Sequence, residues 1–565
     1  MRGDDLTERL ISIVGPRNVL TQSGQTGPFR TGFRTGSGVA NAVVFPGTLL
    51  EQWYVLQACV DSDTIVIMQA ANTGLTEGST PNGSDYDRDV VIVNSRRLTK
   101  SYLLGDASQV LCFSGTSLHS LESLLKPHDR SPHSQIGSSC IGASVVGGVA
   151  NNSGGSLVNR GPAYTELALF ARIDQHGELQ LVNNLEIEGL SESPDELLKE
   201  LDDGRFQPEA TKGTSTPASD TTYVDRLRDV DADSPSRFNA DKRRLFDASG
   251  CAGKVAVFAV RLDTFPNPGD EEVFYVGAND PHVLSTLRRD ILSTFTNLPI
   301  TAEYMHRDCF DLAAKYGKDS FLLINTLGVN FMPTFFRLKR TIDETFNRTK
   351  WLPSDAVDRA LQWLSRFFPQ HLPSRLLSFR DRYEHHIILK AADAGIEEAR
   401  IYLSEAASRV DDGQFGYFEC EEAEASKAYL HRFVAASAAI RYGVIHRNRV
   451  GDVLSLDVAL KRNDQDWHEA LPSELRDKVH SVACYGHFLC HVFHRDYVIE
   501  KTADTSEVKS ILLNDLDHRG GKYPAEHNVG HVYKAEKALA DFYRQLDPTN
   551  SFNPGIGHTS KLKHL

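Results

Sequence analysis

Short apolar runs alternate with longer amphipathic ones along the first third of the chain. Asn41 to Pro46 (NAVVFP) predicts a strand, and Thr48 to Ala58 (TLLEQWYVLQA) repeats its apolar positions at helical spacing. Thr64 to Met68 (TIVIM), Asp89 to Val93 (DVVIV) and Val110 to Phe113 (VLCF) predict three more buried strands, and Gly115-Thr116-Ser117 opens a helix over Leu118 to Leu125. Residues Glu186 to Pro235 are acidic and rich in Ser, Thr, Asp and Pro, which predicts a long, partly mobile insertion. Cys251 to Asp263 (CAGKVAVFAVRLD) restores a buried strand, and a domain boundary is expected just after it. Further on, Ala423 to Ala439 has helical spacing and Asp452 to Leu460 (DVLSLDVAL) alternates like a strand. Together these elements predict an α+β protein.

A chain of 565 residues is too long for one core, so two or three domains are expected. The formal net charge of −14 excludes a general nucleic-acid binder, which needs a basic surface. Eight cysteines lie scattered without CxxC pairs, which fits a reducing compartment and disfavours zinc-ribbon or iron–sulfur ligation. No stretch reaches the length of an apolar span and the N-terminus has no apolar signal core, so the chain is expected neither to cross a membrane nor to be secreted by that route.

One segment departs from this acidic background. Between residues 330 and 383, ten cations (Arg337, Lys339, Arg340, Arg348, Lys350, Arg359, Arg366, Arg375, Arg380, Arg382) face five acids, a net charge of about +5, with nine Phe and Trp residues interleaved. Two readings stand side by side: a patch that rests on an anionic membrane surface, or a helical lobe whose aromatics form their own core.

Three small-residue loops carry the candidate binding chemistry. The run TIVIM breaks into Ala70 to Thr80 (AANTGLTEGST); Ile136 to Ser144 reads IGSSCIGAS and Gly147 to Ser156 reads GGVANNSGGS. Glycines and hydroxyls there let backbone N–H groups approach a ligand closely, and three such loops suit a dinucleotide better than a single phosphate. Neither G-x-G-x-x-G opening a helix nor a P-loop is present, so the dinucleotide would be held by a non-Rossmann fold.

The order of these motifs resembles a known family. Pro46-Gly47-Thr48 with Glu51 and Val55, then NTGLTEG, then Gly115-Thr116, IGSSCIGAS and NNSGG resemble the flavin-binding half of the vanillyl-alcohol-oxidase (PCMH) type flavoproteins. RGPAYTE, SGCAGK, EYMHRD, YGHFLCHVFH, YPAEHNVGH and DPTNSFNPGIG extend the resemblance over nearly the whole chain, to the bacterial respiratory, quinone-linked D-lactate dehydrogenases.

The resemblance implies an FAD-binding domain over residues 1–265 with a C-terminal return over 515–565, an α+β cap over 266–329 and 384–514, and membrane association by the helical, basic aromatic segment 330–383. It implies FAD held by Ala70, Ala71, Asn72, Thr73, Gly74, Gly78, Ser79, Gly137, Ser144, Gly154 and Val257. Val66 to Gly74 contains no histidine or cysteine, so the FAD is expected to be noncovalent. The implied partners are D-lactate, a membrane quinone and an anionic phospholipid surface, with the protein peripheral on the cytoplasmic face of the cell membrane.

Oxidising a 2-hydroxy acid requires a base for the hydroxyl proton and a cation for the carboxylate. Two His-rich stretches offer the base: YPAEHNVGH with Glu526, His527 and His531, and YGHFLCHVFH with His487, His491 and His494. The Glu526-His527 pair resembles one in wider relatives, which makes His527 the base; Arg432 is the carboxylate partner and Arg441 the other choice. His487 and His494 keep the spacing of metal ligands in relatives that oxidise 2-hydroxyglutarate, and Glu526 completes a three-ligand set. Leu489 to Val492 replaces the Gly-Asp-Gly-Asn of that motif, so a divalent metal is an option and not an expectation. A larger 2-hydroxy acid such as 2-hydroxyglutarate is the alternative substrate.

Overall fold

The computed structural model describes residues 3–134, 141–207, 215–328, 356–411, 413–468 and 471–563. Near the N-terminus a four-stranded sheet runs in the order Val19–Leu20, Ala42–Val44, Val90–Asn94, Ile65–Gln69, its last three strands parallel. These strands read as continuous apolar runs because both faces are covered. Val44, Val66, Val91 and Val93 pack into one core, while Val43, Ile65, Ile67, Val90 and Ile92 pack into another.

The helix Leu49–Asp61 covers the first of these faces, burying Trp53, Val55, Leu56 and Cys59. Its start is built locally: the Thr48 hydroxyl accepts from Glu51 N at 3.0 Å, and Glu51 Oε2 accepts from Gly47 N at 2.6 Å.

A second, five-stranded antiparallel sheet has Ala256–Asp263 at its centre, in the order Ser101–Leu104, Gln109–Phe113, Ala256–Asp263, Ala168–Ile173, Leu179–Asn183. The C-terminus returns to this half of the molecule. Phe552 bridges to Val66, and Asn553 Nδ2 donates to Gly78 O and Ala252 O, each at 2.8 Å.

The third sheet has seven antiparallel strands in the order Phe415–Glu419, Glu271–Ala278, His385–Ala392, Thr301–His306, Val479–His487, Val492–Glu500, Val450–Ala459. The helices Pro281–Thr294 and Thr505–His518 bury Leu284, Leu287, Ile291, Leu512 and Leu516 in the core on one face. On the other, Arg307–Tyr316 and Glu422–Ile445 pack Phe310, Ala313, Val434 and Ala438 against Met305, Ala483 and Tyr485.

Two expectations need revision in detail. The described part of the acidic stretch Glu186 to Pro235 is an ordered part of the fold: the helix Pro194–Asp203 buries Leu197, Leu198 and Leu201, and Tyr223–Arg228 buries Tyr223 and Leu227. Composition misleads here because three leucines on one face of a short helix supply the burial that the acidic average conceals.

Of the segment 330–383, residues 330–355 lie outside the described residues, and the remainder divides in two. The helix Ala356–Leu364 and the turn after it present exposed Trp363, Leu364, Phe367 and Phe368. The helix Ser374–Arg382 is tied to the cap instead. Arg375 pairs with Glu424 at 3.1 Å, Arg380 pairs with Asp311, and Phe379 packs on Tyr275 and Phe418. Among the described residues no helix is long and apolar enough to cross a membrane.

Candidate active site

A cavity of about 1570 Å³ lies between the glycine loops and the seven-stranded sheet. One wall is made by Ala70 to Thr76, Gly78 and Ser79, by Ala143, Ser144 and Ser153 to Ser156, and by Val257. Asn72 shapes the first loop from a left-handed backbone (φ 55°), which asparagine tolerates well. Its Oδ1 accepts from Ser79 Oγ at 2.9 Å and Thr80 Oγ1 at 3.0 Å, and its Nδ2 donates to Thr31 O at 2.9 Å.

Two glycines here let polar side chains come close. A Cβ on Gly78 would stand 2.4 Å from Asn528 Nδ2, and one on Gly154 2.4 Å from Glu526 Oε1. The cradle is narrow, backbone-lined and nearly uncharged, which fits the pyrophosphate and rings of a dinucleotide. All the FAD-contact residues expected from the sequence line it except Gly137, which lies outside the described residues.

The opposite wall is a row of polar residues that strand register brings together. Glu303 pairs with His487, Tyr485 with His494 and His494 with Asp457, on four neighbouring strands. Alternate residues of a strand share a face, so Glu303, Tyr485, His487, His494 and Asp457 point the same way. Gly486 is fixed by the same pairing, since a Cβ there would meet Val492 O at 2.2 Å.

His487 is the hub. Its Nδ1 lies 2.6 Å from Glu303 Oε1 and its Nε2 3.3 Å from Glu526 Oε2. Burial disfavours the imidazolium, yet the two carboxylates raise its pKa to about 10. Burial also works against the Glu526 and Glu303 carboxylates. The charges of His487 and Arg237 hold the first well below the usual carboxylate range, and those of His487 and Arg432 lower the second.

Glu526 is further held by Arg237, and its backbone N–H donates to Asp457 Oδ2 at 2.8 Å. His494 Nδ1 is 3.4 Å from Asp457 Oδ1, and its Nε2 is 4.0 Å from Glu526 Oε2. One donor atom from each of His487, His494 and Glu526 lies within 4.8 Å of the others, so these three side chains fit a divalent cation with two imidazoles and one carboxylate.

His527 lines the cavity with a third of its side chain exposed, its Nε2 3.8 Å from Asp457 Oδ2. Arg432 is buried and pairs with Glu303 Oε2 at 3.0 Å, its guanidinium over the Tyr485 ring at 4.4 Å. Arg441, the other arginine considered, is locked between Asp319 at 3.0 Å and Asp358 at 3.1 Å.

Two histidines of the His-rich stretches are drawn away from the cavity wall: His491 Nδ1 bonds Lys461 O at 2.9 Å and His531 Nδ1 bonds Gly555 O at 3.2 Å. Sequence reasoning missed Glu303, Asp457, Arg237 and Arg34. Glu303 and Asp457 carried a signal, an acid set between apolar neighbours, Ala302 and Tyr304 for the first and Leu456 and Val458 for the second. Arg237 follows directly on the stretch expected to be mobile, and nothing marks Arg34, which reaches the cavity and donates to Ser455 Oγ at 3.3 Å.

The chain is 54% identical over 555 residues to the quinone-dependent D-lactate dehydrogenase of Escherichia coli, covering 98% of this chain and 96% of that protein. It is 52% identical over 565 residues to the quinone-dependent D-lactate dehydrogenase of Haemophilus influenzae, covering 100% of both. Its fold is that of p-cresol methylhydroxylase, solved with substrate bound, at TM-score 0.58 and 12% identity over 99% of this chain and 97% of that one. The family profile described as FAD binding domain matches residues 40–179, the glycine-loop half, and the profile described as D-lactate dehydrogenase, membrane binding matches residues 273–565, the half that carries the polar row. The chain belongs to the family of quinone-dependent, membrane-binding D-lactate dehydrogenases, built on an FAD binding domain.

Proposed function

We propose that this protein oxidises D-lactate to pyruvate at the cavity between the glycine loops and the polar row, and that a membrane quinone receives the electrons. The carrying observation is that the two walls face each other across one cavity, the first fitting FAD and the second bearing a base and cations for a 2-hydroxy acid. FAD, held without a covalent bond by Ala70 to Gly74, Gly78, Ser79, Ser144, Gly154 and Val257, supplies the acceptor for hydride from the lactate C2.

The chain's own residues do the rest. His527 takes the hydroxyl proton on Nε2, and Asp457 at 3.8 Å stabilises the imidazolium that forms. His487, already paired with two carboxylates, is a poor base and serves as fixed positive charge. Arg432 orients the lactate carboxylate through its guanidinium edge while Glu303 holds it in place. Where a divalent cation is bound instead, His487 would give up its Nε2 proton and, with His494 and Glu526, would hold the cation, which would supply a Lewis acid for the substrate oxygens in place of the imidazolium charge.

The family's membrane-binding half, the absence of a spanning helix among the described residues and the exposed aromatics at Trp363 and Phe367 support peripheral attachment, placed here on the cytoplasmic face. The test is the visible spectrum of the purified protein before and after anaerobic D-lactate. A flavin band that bleaches with D- but not L-lactate is expected. A flavin band that D-lactate leaves untouched overturns the substrate assignment.

A further inference from the structure

Beyond the glycine loops and the polar row the cavity has a further set of walls. Phe433, Ser437, Ile440 and Val444 line it at helical spacing along one face of Glu422–Ile445, and Ser320 and Ile324 line it from the helix Lys318–Leu327. From Arg432, at the polar row, to Val444 this helix rises about 18 Å at about 1.5 Å per residue, so the arm leads well away from the lactate site.

Arg441 braces the arm. Its ion pairs to Asp319 and Asp358 clip together three helices, Lys318–Leu327, Ala356–Leu364 and Glu422–Ile445. All three side chains are largely buried, and a buried arginine satisfied by two carboxylates is costly to pull apart. The same three helices also expose apolar side chains: Leu327 is 52% exposed, Trp363 56%, and the lining residues Phe433 and Ile440 39% each. Phe433 and Ile440 thus line the arm and reach the surface at once, and an apolar opening of this kind suits the entry of an apolar ligand.

We propose that this arm is the quinone site, with the quinone entering between Lys318–Leu327 and Glu422–Ile445 from the lipid side. This rests on the functional reading above. A quinone has a flat ring with two carbonyl acceptors and an apolar tail. Ser320 brings a hydroxyl donor into the arm, Ser437 lines it with a hydroxyl that donates to Val434 O at 2.9 Å, and Ile324, Phe433, Ile440 and Val444 make its apolar lining. With FAD bound, the hydride-reduced flavin would give up two electrons and one proton, the second proton would be the lactate hydroxyl proton released by His527 through solvent, and the quinone would take all of these and depart as quinol, leaving the flavin oxidised.

The test uses the full-length holoenzyme and decylubiquinone in detergent. Ser437→Phe fills the arm, and Ile440→Asp places a charge at its half-exposed rim, where folding tolerates it. In both variants, decylubiquinone binding by calorimetry weakens at least tenfold and flavin reoxidation by decylubiquinone slows by the same factor. Bleaching by D-lactate and reoxidation by ferricyanide keep wild-type rates. Wild-type decylubiquinone affinity in both variants overturns the proposal. A wild-type enzyme that binds decylubiquinone but does not bleach with D-lactate counts against the substrate reading alone.

Discussion

Glu303 and His487 face each other across paired antiparallel strands, with Nδ1 of the histidine 2.6 Å from Oε1 of the glutamate. The same carboxylate binds Arg432 through Oε2 at 3.0 Å, so one buried anion organises both a charged imidazole and the arginine assigned to the lactate carboxylate.

Replacing Glu303 by Gln leaves two buried cations short of a partner. Loss of one member of a buried ion network costs about 3–5 kcal/mol. Because His487 keeps Glu526, the lower end of that range is expected. Urea unfolding followed by fluorescence should show the unfolding free energy falling by that much, with a lower midpoint; an unchanged midpoint would mean that the network adds nothing to stability.

His527→Ala should keep the flavin spectrum and slow anaerobic bleaching by D-lactate about 10²–10⁴-fold, the usual contribution of a positioned base. Asp457→Asn should have a smaller effect in the same direction, because Asp457 only supports the imidazolium. Stopped-flow absorbance reads both, and wild-type bleaching in His527→Ala removes the base assignment.

Acid should weaken the cap through a second group of histidines. Burial, above all, lowers the pKa of His386 and His431 to about 3 and that of His371 to about 4, from an ordinary 6.5. Their native pKa values are depressed, so below pH 6.5 the unfolded chain binds protons that the native chain does not. The stability they contribute is fully present above pH 6.5 and is lost as pH falls toward 4, at up to about 1.4 kcal/mol per pH unit for each ring. Thermal melts between pH 7.5 and 4.5 should show the melting temperature dropping below pH 6.5, and less steeply in His431→Phe. Equal slopes in the two proteins would exclude His431 as a contributor.

Trp363→Ala combined with Phe367→Ala should reduce co-sedimentation with anionic vesicles about tenfold while leaving D-lactate bleaching intact, because both rings are exposed on the segment proposed above to rest on the membrane. The remaining binding should be more sensitive to salt, as charge then carries a larger share of it. Unchanged binding would place the contact elsewhere.

The parts of this protein that its sequence determines are local ones. The parallel strands are legible because a strand covered on both faces must be continuously apolar, and Val90 to Val93 or Ile65 to Met68 can hardly be anything else. Helix starts at Thr48 and Ser117 are legible because the capping hydroxyl sits three residues from the N–H it accepts. The glycine loops are legible because close backbone approach has a compositional signature, and most of the residues expected to hold FAD do line one cavity.

What only the tertiary structure decided is which charged residues meet. Glu303, Asp457, His487, His494 and Glu526 come from separate strands and a distant loop, 223 positions apart at the extremes (526 − 303). Register alone sets them side by side, and a shift of one residue would turn any strand's contribution to the opposite face. The same holds for Arg441, which from its place in the chain looked as free as Arg432 and in space is bound by Asp319 and Asp358. Local pattern records whether a side chain is covered. Which partner covers it depends on contacts hundreds of residues away, and these carry no local trace.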